Sequence, residues 1–116
     1  MSIKRIKTGP RMSQAVVHGN TVYLAGQVTR DSSLGAEGQA ADILAQIDAL
    51  LAEAGTDKSR LLSAQIFLAD LADFAALNRA WDAWLDPAAR PARATVQATL
   101  ADPAWKVEIT GIAALP

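Results

Sequence analysis

Two ionisable side chains lie in segments where an unpaired charge is costly. Arg93 follows Pro91-Ala92 at the start of a run of apolar and hydroxyl-bearing residues, and Glu108 alternates with Val107 and Ile109. The planar guanidinium group suits a carboxylate, which it holds through two parallel hydrogen bonds. A carboxylate in a buried strand needs a partner or takes a raised pKa. The residues leave two interpretations open, a site that binds an anionic ligand or a structural salt bridge between Arg93 and Glu108, and spacing alone favours the salt bridge.

Other catalytic patterns are absent from the chain. It has no cysteine, which excludes disulfides, thiolate catalysis, iron–sulfur clusters and zinc sites built on cysteine. His18 is the only histidine and falls in a predicted turn, so it predicts neither a metal site nor a catalytic triad. Neither Gly19 nor Gly26 begins a glycine-rich phosphate loop. Asp70 and Asp73 are spaced as helix caps, not as an acid–base pair.

Size and composition predict a single domain with a core that is poor in large side chains. The chain has 116 residues, of which 51% are hydrophobic and 20% are charged, as in folded globular proteins. It contains 25 alanines but only 28 residues of Leu, Ile, Val and Phe together. Small chains with thin cores often gain stability from subunit contacts, so we expect an oligomer.

The charge balance and the N-terminus restrict the possible partners. Eleven basic and 12 acidic residues give a net charge of −1, without the broad positive field that nucleic-acid binding needs. No apolar run is long enough for a signal peptide or a membrane span. We therefore expect a cytoplasmic protein that binds neither nucleic acid nor membrane.

Hydrophobic periodicity predicts the order β-β-β-α-β-α-β-β. Apolar residues at helical spacing precede Gly55, a natural helix end, and a second apolar stripe contains Phe74, Leu77, Trp81 and Trp84. The predicted strands are Ile3–Lys7, Ser13–Val17, Thr21–Val28, Leu61–Leu68, Ala94–Leu100 and Lys106–Ala113, and the predicted helices run from about Glu37 to Ala54 and from Asp70 or Asp73 to about Leu85.

The elements indicate an α+β fold, a mixed sheet with both helices on one face. Two helices cover only one face of such a sheet, so the other face meets solvent or another subunit. Strand alternation places Arg93 and Thr95 on one face of their strand, and it places Glu108 and Thr110 on one face of theirs. We expect this second, semi-polar face to carry both Arg93 and Glu108 at a subunit interface. An ordinary solvated face is the alternative.

Several short motifs occur in a fixed order along almost the whole chain. They are Ser13-Gln14-Ala15-Val16, Gly19-Asn20, Val22-Tyr23-Leu24-Ala25-Gly26-Gln27, Leu50-Leu51 with Ala54-Gly55, Asp73-Phe74-Ala75 with Asn78, Pro91-Ala92-Arg93 and Val107-Glu108-Ile109. The ordered set resembles the Rid family of reactive-intermediate deaminases, also called YjgF-like proteins. Each motif is weak alone, and the specificity lies in their order and gaps.

This resemblance implies a fold, an assembly and a reaction. The fold is the chorismate-mutase-like α+β fold, assembled as a homotrimer in which the sheets form an inner barrel and ligands bind in clefts between subunits. The reaction is hydrolysis of 2-imino acids, or their enamine tautomers such as 2-aminoacrylate, to 2-oxo acids and ammonia. It implies no metal and no cofactor, and a small imino or oxo acid as the ligand.

The resemblance also assigns roles to individual residues. Arg93 holds the substrate carboxylate, and Glu108 positions or activates the attacking water. The other positions carried over as substrate-binding are Thr95, Asn78, Met12, Ala25 and Gly26. Four positions depart from the family: Met12 replaces a usual Tyr, Ala25 a Ser, Thr95 a frequent Cys and Thr110 a second Glu.

These departures keep two other hypotheses open. The first is a regulatory trimer that binds small carboxylates such as 2-oxo acids without turnover, since several polar groups of the pocket are changed. The second is endoribonuclease activity, a description that some family members carry. The near-neutral charge argues against this activity.

Overall fold

A computed structural model describes residues 1–116 as one six-stranded sheet with two helices on one face. The strands lie in the order β1-β2-β3-β6-β4-β5, and only the β4–β5 pair is parallel. This confirms the predicted α+β class and the order of elements. The bounds are β1 (Ile3–Thr8), β2 (Ser13–His18), β3 (Thr21–Gln27), α1 (Ala36–Ala54), β4 (Leu61–Leu68), α2 (Phe74–Trp84), β5 (Ala92–Gln97) and β6 (Val107–Ala114).

Helix α1 is the central element on the covered face of the sheet. Ile43, Ile47 and Leu51 recur at helical spacing and are fully buried against the strands. The helix ends at Gly55, whose φ of 95° is the left-handed conformation that glycine adopts without a steric penalty. Its N–H donates to the Ala52 carbonyl at 3.1 Å, so the end predicted at Gly55 is confirmed.

Helix α2 begins at Phe74, directly after Asp73, so the predicted start at Asp73 is confirmed and the alternative start at Asp70 is wrong, because a separate turn precedes the helix. Asp70 accepts a hydrogen bond from the Ala72 N–H at 2.9 Å and caps a 3-10 turn over Leu71–Asp73. Asp73 makes no side-chain cap. Trp84, half-buried near the end of α2, donates its indole N–H to Asp48 of α1 at 2.9 Å, which fixes the two helices to each other.

Strand β5 differs most from its prediction, Ala94–Leu100, since it begins at Ala92 and ends at Gln97. It lies at the edge of the sheet and pairs only with β4. Leu68, the last residue of β4, pairs with Gln97, and one further bond joins Ala98 N–H to the Leu68 carbonyl. The length of β4 therefore limits β5, and Leu100 falls outside the sheet.

The face of the sheet opposite the helices is open, as predicted. The buried apolar residues form one cluster between the helices and the sheet. On the other face Tyr23, Val96 and Ile112 are 48%, 49% and 37% exposed, more than such side chains usually are in a core-facing position. Neither helix has the apolar length needed to cross a membrane.

A charged pair fixes the segment between β3 and α1. Asp42 of α1 accepts hydrogen bonds from the backbone N–H of Arg30 at 2.7 Å, from its guanidinium at 2.8 Å and from the Thr29 hydroxyl at 2.9 Å. Burial by itself raises the pKa of Asp42, but the bonds and the charge of Arg30 outweigh it and lower the pKa from 3.8 to about 2. The ionised form of Asp42 is therefore the one that stabilises the fold.

We predict that Asp42→Asn lowers the free energy of unfolding at pH 7 by about 1 kcal/mol, after allowing for solvent screening at the surface. Because the folded pKa lies below the unfolded one, this contribution is present above about pH 4 and is lost as the pH falls towards about 2. Urea unfolding at several pH values measures it. Asp82→Asn, at an exposed position of α2, is the control. A difference between native protein and Asp42→Asn that is as large at pH 2 as at pH 7 would contradict the assignment to charge.

Candidate functional site

Arg93 lies on the edge strand and projects to the helix side of the sheet. It pairs with Ala64 of β4, and residues paired in register point to the same face. Ala64 is buried in the core, so Arg93 faces α2. Its guanidinium lies 5.3 Å from the ring centre of Trp81 and 5.9 Å from that of Phe74. These are cation–π distances, and the rings orient the cation without neutralising it.

Glu108 lies on the opposite, open face. Its neighbours Val107 and Ile109 are fully buried, and Glu108 itself is half-buried beside Phe67 of β4, with which it pairs. The side chain extends over Gly26 of β3, where the missing Cβ leaves room for the carboxylate. No hydrogen bond or ion pair within the chain engages this carboxylate, which therefore stays available to a ligand or a neighbouring chain.

Two expectations from the sequence are therefore wrong. Arg93 and Glu108 form no salt bridge, since the only ion pairs in the chain are Arg30–Asp42 and Arg79–Glu37. Nor do the two residues share the open face. Alternation within one strand says which residues lie together, but the pairing of β5 with β4 decides which face of the sheet they occupy, and that pairing puts Arg93 beside α2.

The sheet also separates Arg93 and Glu108 laterally. Their partners on β4, Ala64 and Phe67, are three residues apart, or about 10 Å along the strand. Strands β5 and β6 lie on either side of β4, which adds about 10 Å across the sheet. One small substrate therefore does not contact both side chains of the same chain.

Thr95 and Asn78 complete the group around Arg93. Thr95 pairs with Ile66 and so shares the face of Arg93. Its hydroxyl oxygen is the only buried side-chain polar atom in the chain without a hydrogen-bond partner. Such an atom carries a free-energy cost that a ligand or a water molecule removes. Asn78 lies one helical turn after Phe74 on α2, is half-buried, and makes no side-chain hydrogen bond.

The other residues predicted to bind substrate lie on the open face of the sheet or in the turn between β1 and β2. Ala25 and Gly26 lie on β3, and both are half-buried. Met12 lies in the turn between β1 and β2 and is 54% exposed, so this chain alone does not enclose it. The hydroxyl of Thr110, the fourth departure from the family pattern, donates to the Leu24 carbonyl and is already engaged.

The sequence interpretation missed two features of this region. Phe74 of the predicted apolar stripe is 43% exposed, Trp81 is buried in the core, and both rings lie within cation–π distance of Arg93. Their seven-residue spacing on one helix face was the available signal. The second feature is a hollow of about 490 Å³ on the open face, lined in part by Tyr23, Gln65 and Ile112. It depends on residues from four strands, which no local pattern reveals.

Comparison with known proteins identifies the family. The profile described as Endoribonuclease L-PSP matches residues 2–115. A RutC family protein of Haemophilus influenzae is 51% identical over 114 residues, covering 97% of this chain and 98% of that protein. The chain belongs to the YjgF/RutC/Rid family.

Solved structures of this family have the same fold. A member of the YjgF protein family from Neisseria meningitidis superposes with a TM-score of 0.95 at 45% identity, covering 100% of this chain and 97% of that one. A protein from Pseudomonas aeruginosa superposes with a TM-score of 0.96 at 41% identity, covering 99% and 100%. The expectation of a YjgF-like fold is therefore confirmed.

The contact between Gly26 and Glu108 predicts a coupled effect on stability. A Cβ at position 26 overlaps the Glu108 carboxylate, which has to move. We expect Gly26→Ala to lower the free energy of unfolding by about 1 kcal/mol in the native protein, as overpacking does, and to have little effect in a Glu108→Ala background. Urea unfolding of the four proteins measures the coupling.

Gly9→Ala is the matched control for this cycle. A Cβ there meets only the Met12 carbonyl at 3.8 Å, an ordinary contact, so its effect should not depend on residue 108. An equal cost of Gly26→Ala in both backgrounds would show that the Glu108 carboxylate is not what fills the space over Gly26.

Proposed function

We propose that this protein is a cofactor-free deaminase that hydrolyses 2-imino acids and their enamine tautomers, such as 2-aminoacrylate, to 2-oxo acids and ammonia. The observation that carries the proposal is the state of Arg93, a guanidinium close to two aromatic rings and without a carboxylate partner. Membership of the YjgF/RutC/Rid family supports the same proposal. So does the carboxylate of Glu108, which no group of its own chain engages.

Arg93 binds the carboxylate of the substrate in this proposal. Its guanidinium group donates two parallel hydrogen bonds to a carboxylate, and the rings of Phe74 and Trp81 lie beside the cation at cation–π distances. Thr95, on the same strand face, supplies a hydroxyl donor, and Asn78 supplies an amide. The acid end of the substrate is thereby fixed before the reaction begins, which lowers the entropic cost of reaching the transition state.

Glu108 transfers the protons of the hydrolysis. Its carboxylate takes a proton from water while the water oxygen bonds to C2 of the imine, and it passes that proton to the imine nitrogen to give a tetrahedral carbinolamine. Glu108 then takes the proton of the carbinolamine hydroxyl, which becomes the 2-oxo group, and delivers it to the nitrogen as the C2–N bond breaks and ammonia leaves. One water is consumed, and the residue ends in its starting state.

The separation of Arg93 and Glu108 requires two chains for each site. Because they occupy opposite faces of one sheet about 10 Å apart in each direction, a complete cleft takes Arg93 from one subunit and Glu108 from the next. A cyclic homotrimer provides three such clefts through one repeated head-to-tail contact. The open face, with its exposed Tyr23 and Ile112, is the surface available for that contact.

We predict that Arg93→Ala lowers kcat/KM for imine hydrolysis about 100-fold, the loss expected when a charged two-bond contact is removed. Arg93→Lys keeps the charge but not the two parallel N–H donors of the guanidinium group, so its activity should lie between those of native protein and Arg93→Ala. An amino-acid oxidase generates the imine, and semicarbazide traps what survives. Arg90→Ala, an exposed arginine in the preceding loop, is the control.

Two results would contradict this function. Full activity of Arg93→Ala would remove Arg93 from the reaction. No turnover by the native protein, together with saturable binding of a 2-oxo acid such as pyruvate that Arg93→Ala abolishes, would favour a carboxylate-binding protein without catalysis. The unpartnered Arg93 supports that second function equally, and only turnover separates the two.

Subunit mixing tests whether each site is shared between chains. In any trimer that mixes Arg93→Ala and Glu108→Gln subunits, one cleft of the three receives both native residues. Random mixing in equal amounts therefore restores about one quarter of the native activity, although each variant alone has little. Co-expression followed by purification of the assembly, with each variant alone as a control, measures this fraction.

The same experiment tests the sharing of the cleft between subunits independently of whether the protein hydrolyses imines. An active native enzyme whose mixed variants regain nothing would place both residues in one chain and contradict the shared cleft. An assembly that is not trimeric by light scattering would contradict the arrangement of three clefts. Neither result alters the assignment of Arg93 to the substrate carboxylate.

The description Endoribonuclease L-PSP, which the family profile carries, has weaker physical support in this chain. A net charge of −1 does not supply the field that attracts a polyanion. Arg93 is the only cation among the residues described around it, and one cation suits a single carboxylate better than a phosphodiester backbone. RNA cleavage that survives repurification and disappears in a point variant would reverse this preference.

A further inference from the structure

We propose that a second cleft of this protein binds a small carboxylate that also carries a neutral hydrogen-bond donor, a hydroxyl or an amide. The cleft has a volume of about 210 Å³ and is lined by the end of β1, by β2 and β3, and by α1. Neither Arg93 nor Glu108 lines it. Its polar residues are two cations and three carboxamides: Lys7, Arg30, Gln14, Gln27 and Gln46.

The hydrogen bonds of Gln27 determine which of its atoms remains free. Its Nε2 donates to the Ala25 carbonyl at 3.1 Å and to Gln14 Oε1 at 3.0 Å. A backbone carbonyl only accepts, so the nitrogen has to face Ala25. This leaves Gln27 Oε1 without a donor within the chain. Because Gln27 lines the cleft, this free carbonyl oxygen can accept a hydrogen bond from a ligand that enters it.

The other two carboxamides are fixed in the same way. Gln46 Nε2 donates to the Val28 carbonyl at 3.0 Å and to Asp42 Oδ2 at 3.2 Å, so Gln46 Oε1 is a second free acceptor. Gln14 Oε1 accepts from Gln27, so Gln14 Nε2 is a free donor. The cleft therefore offers acceptors from α1 and β3, and a donor from β2.

The positive charge of the cleft comes from Lys7. Arg30 is neutralised by Asp42, whose oxygens already accept bonds from Thr29, Arg30 and Gln46. Lys7 has no ion-pair partner. Its φ of 50° is the left-handed conformation, unusual for a residue with a side chain, and it is the only such non-glycine residue in the protein. Strained positions of this kind are concentrated at functional sites.

These groups select the chemical class of the ligand. Lys7, Arg30 and Asp42 together give the cleft a charge of +1, which favours a monoanion and disfavours an ammonium group. A simple anion cannot donate to Gln27 Oε1 or Gln46 Oε1, and a neutral alcohol leaves Lys7 unpaired. A small hydroxy or amido carboxylate satisfies both requirements.

Lactate, propionate and lactamide form a matched set of probes, because propionate lacks the donor and lactamide lacks the charge. We expect lactate to bind at least tenfold more tightly than either, and to shift the side-chain NH₂ resonance of Gln14 in ¹⁵N NMR spectra. The titration is run on native protein and on Arg93→Ala, in which the other cleft lacks its guanidinium. Binding in both proteins assigns lactate to the cleft of Lys7.

Lys7→Gly and Lys7→Arg test the residue itself. Glycine adopts the left-handed backbone readily, so Lys7→Gly should keep the native melting temperature or raise it while it abolishes lactate binding. Lys7→Arg keeps the cation and should keep the binding. Equal affinity for lactate and propionate, binding that survives in Lys7→Gly, or binding lost in Arg93→Ala would each overturn the proposal.

Discussion

The parallel pairing of β5 with β4 is the constraint on which the candidate site depends. A parallel partner at the edge of an otherwise antiparallel sheet requires a crossover, and α2 is that crossover. The register that pairs Ala64 with Arg93 directs the guanidinium towards α2, where Phe74 and Trp81 receive it. The same sheet holds Glu108 on the far face. One pairing thus creates an oriented cation and separates it from the carboxylate.

The absence of an internal salt bridge at Arg93 follows from this geometry and has a functional consequence. A guanidinium paired with a carboxylate of its own chain has to exchange that partner before it binds a substrate, and the exchange weakens binding. Aromatic rings orient the cation and leave its hydrogen-bond donors free. Arg30 shows the contrast within the same molecule, because Asp42 occupies its guanidinium and fixes a loop.

Local patterns in the sequence were sufficient to predict the helices and strands, but not to predict which face of the sheet a side chain occupies. Helical spacing and Gly55 predicted α1 to within one residue, and the apolar run Leu61–Leu68 predicted β4 without error. The limits of β5 and the face of Arg93 were wrong, since both depend on β4, almost 30 residues earlier in the chain. The bonds of Gln27 to Gln14 and of Arg30 to Asp42 likewise join residues of different elements, which periodicity does not pair.

The open face of the sheet links stability to the proposed activity. A core with few large side chains lies on one side of the sheet, while Tyr23, Val96 and Ile112 remain exposed on the other. In the proposed trimer, burial of these side chains supplies the hydrophobic stabilisation that the single chain lacks. The contact that buries them also carries Glu108 to the Arg93 of a neighbour. In this proposed trimer, the step that completes the core therefore also completes the proposed active site.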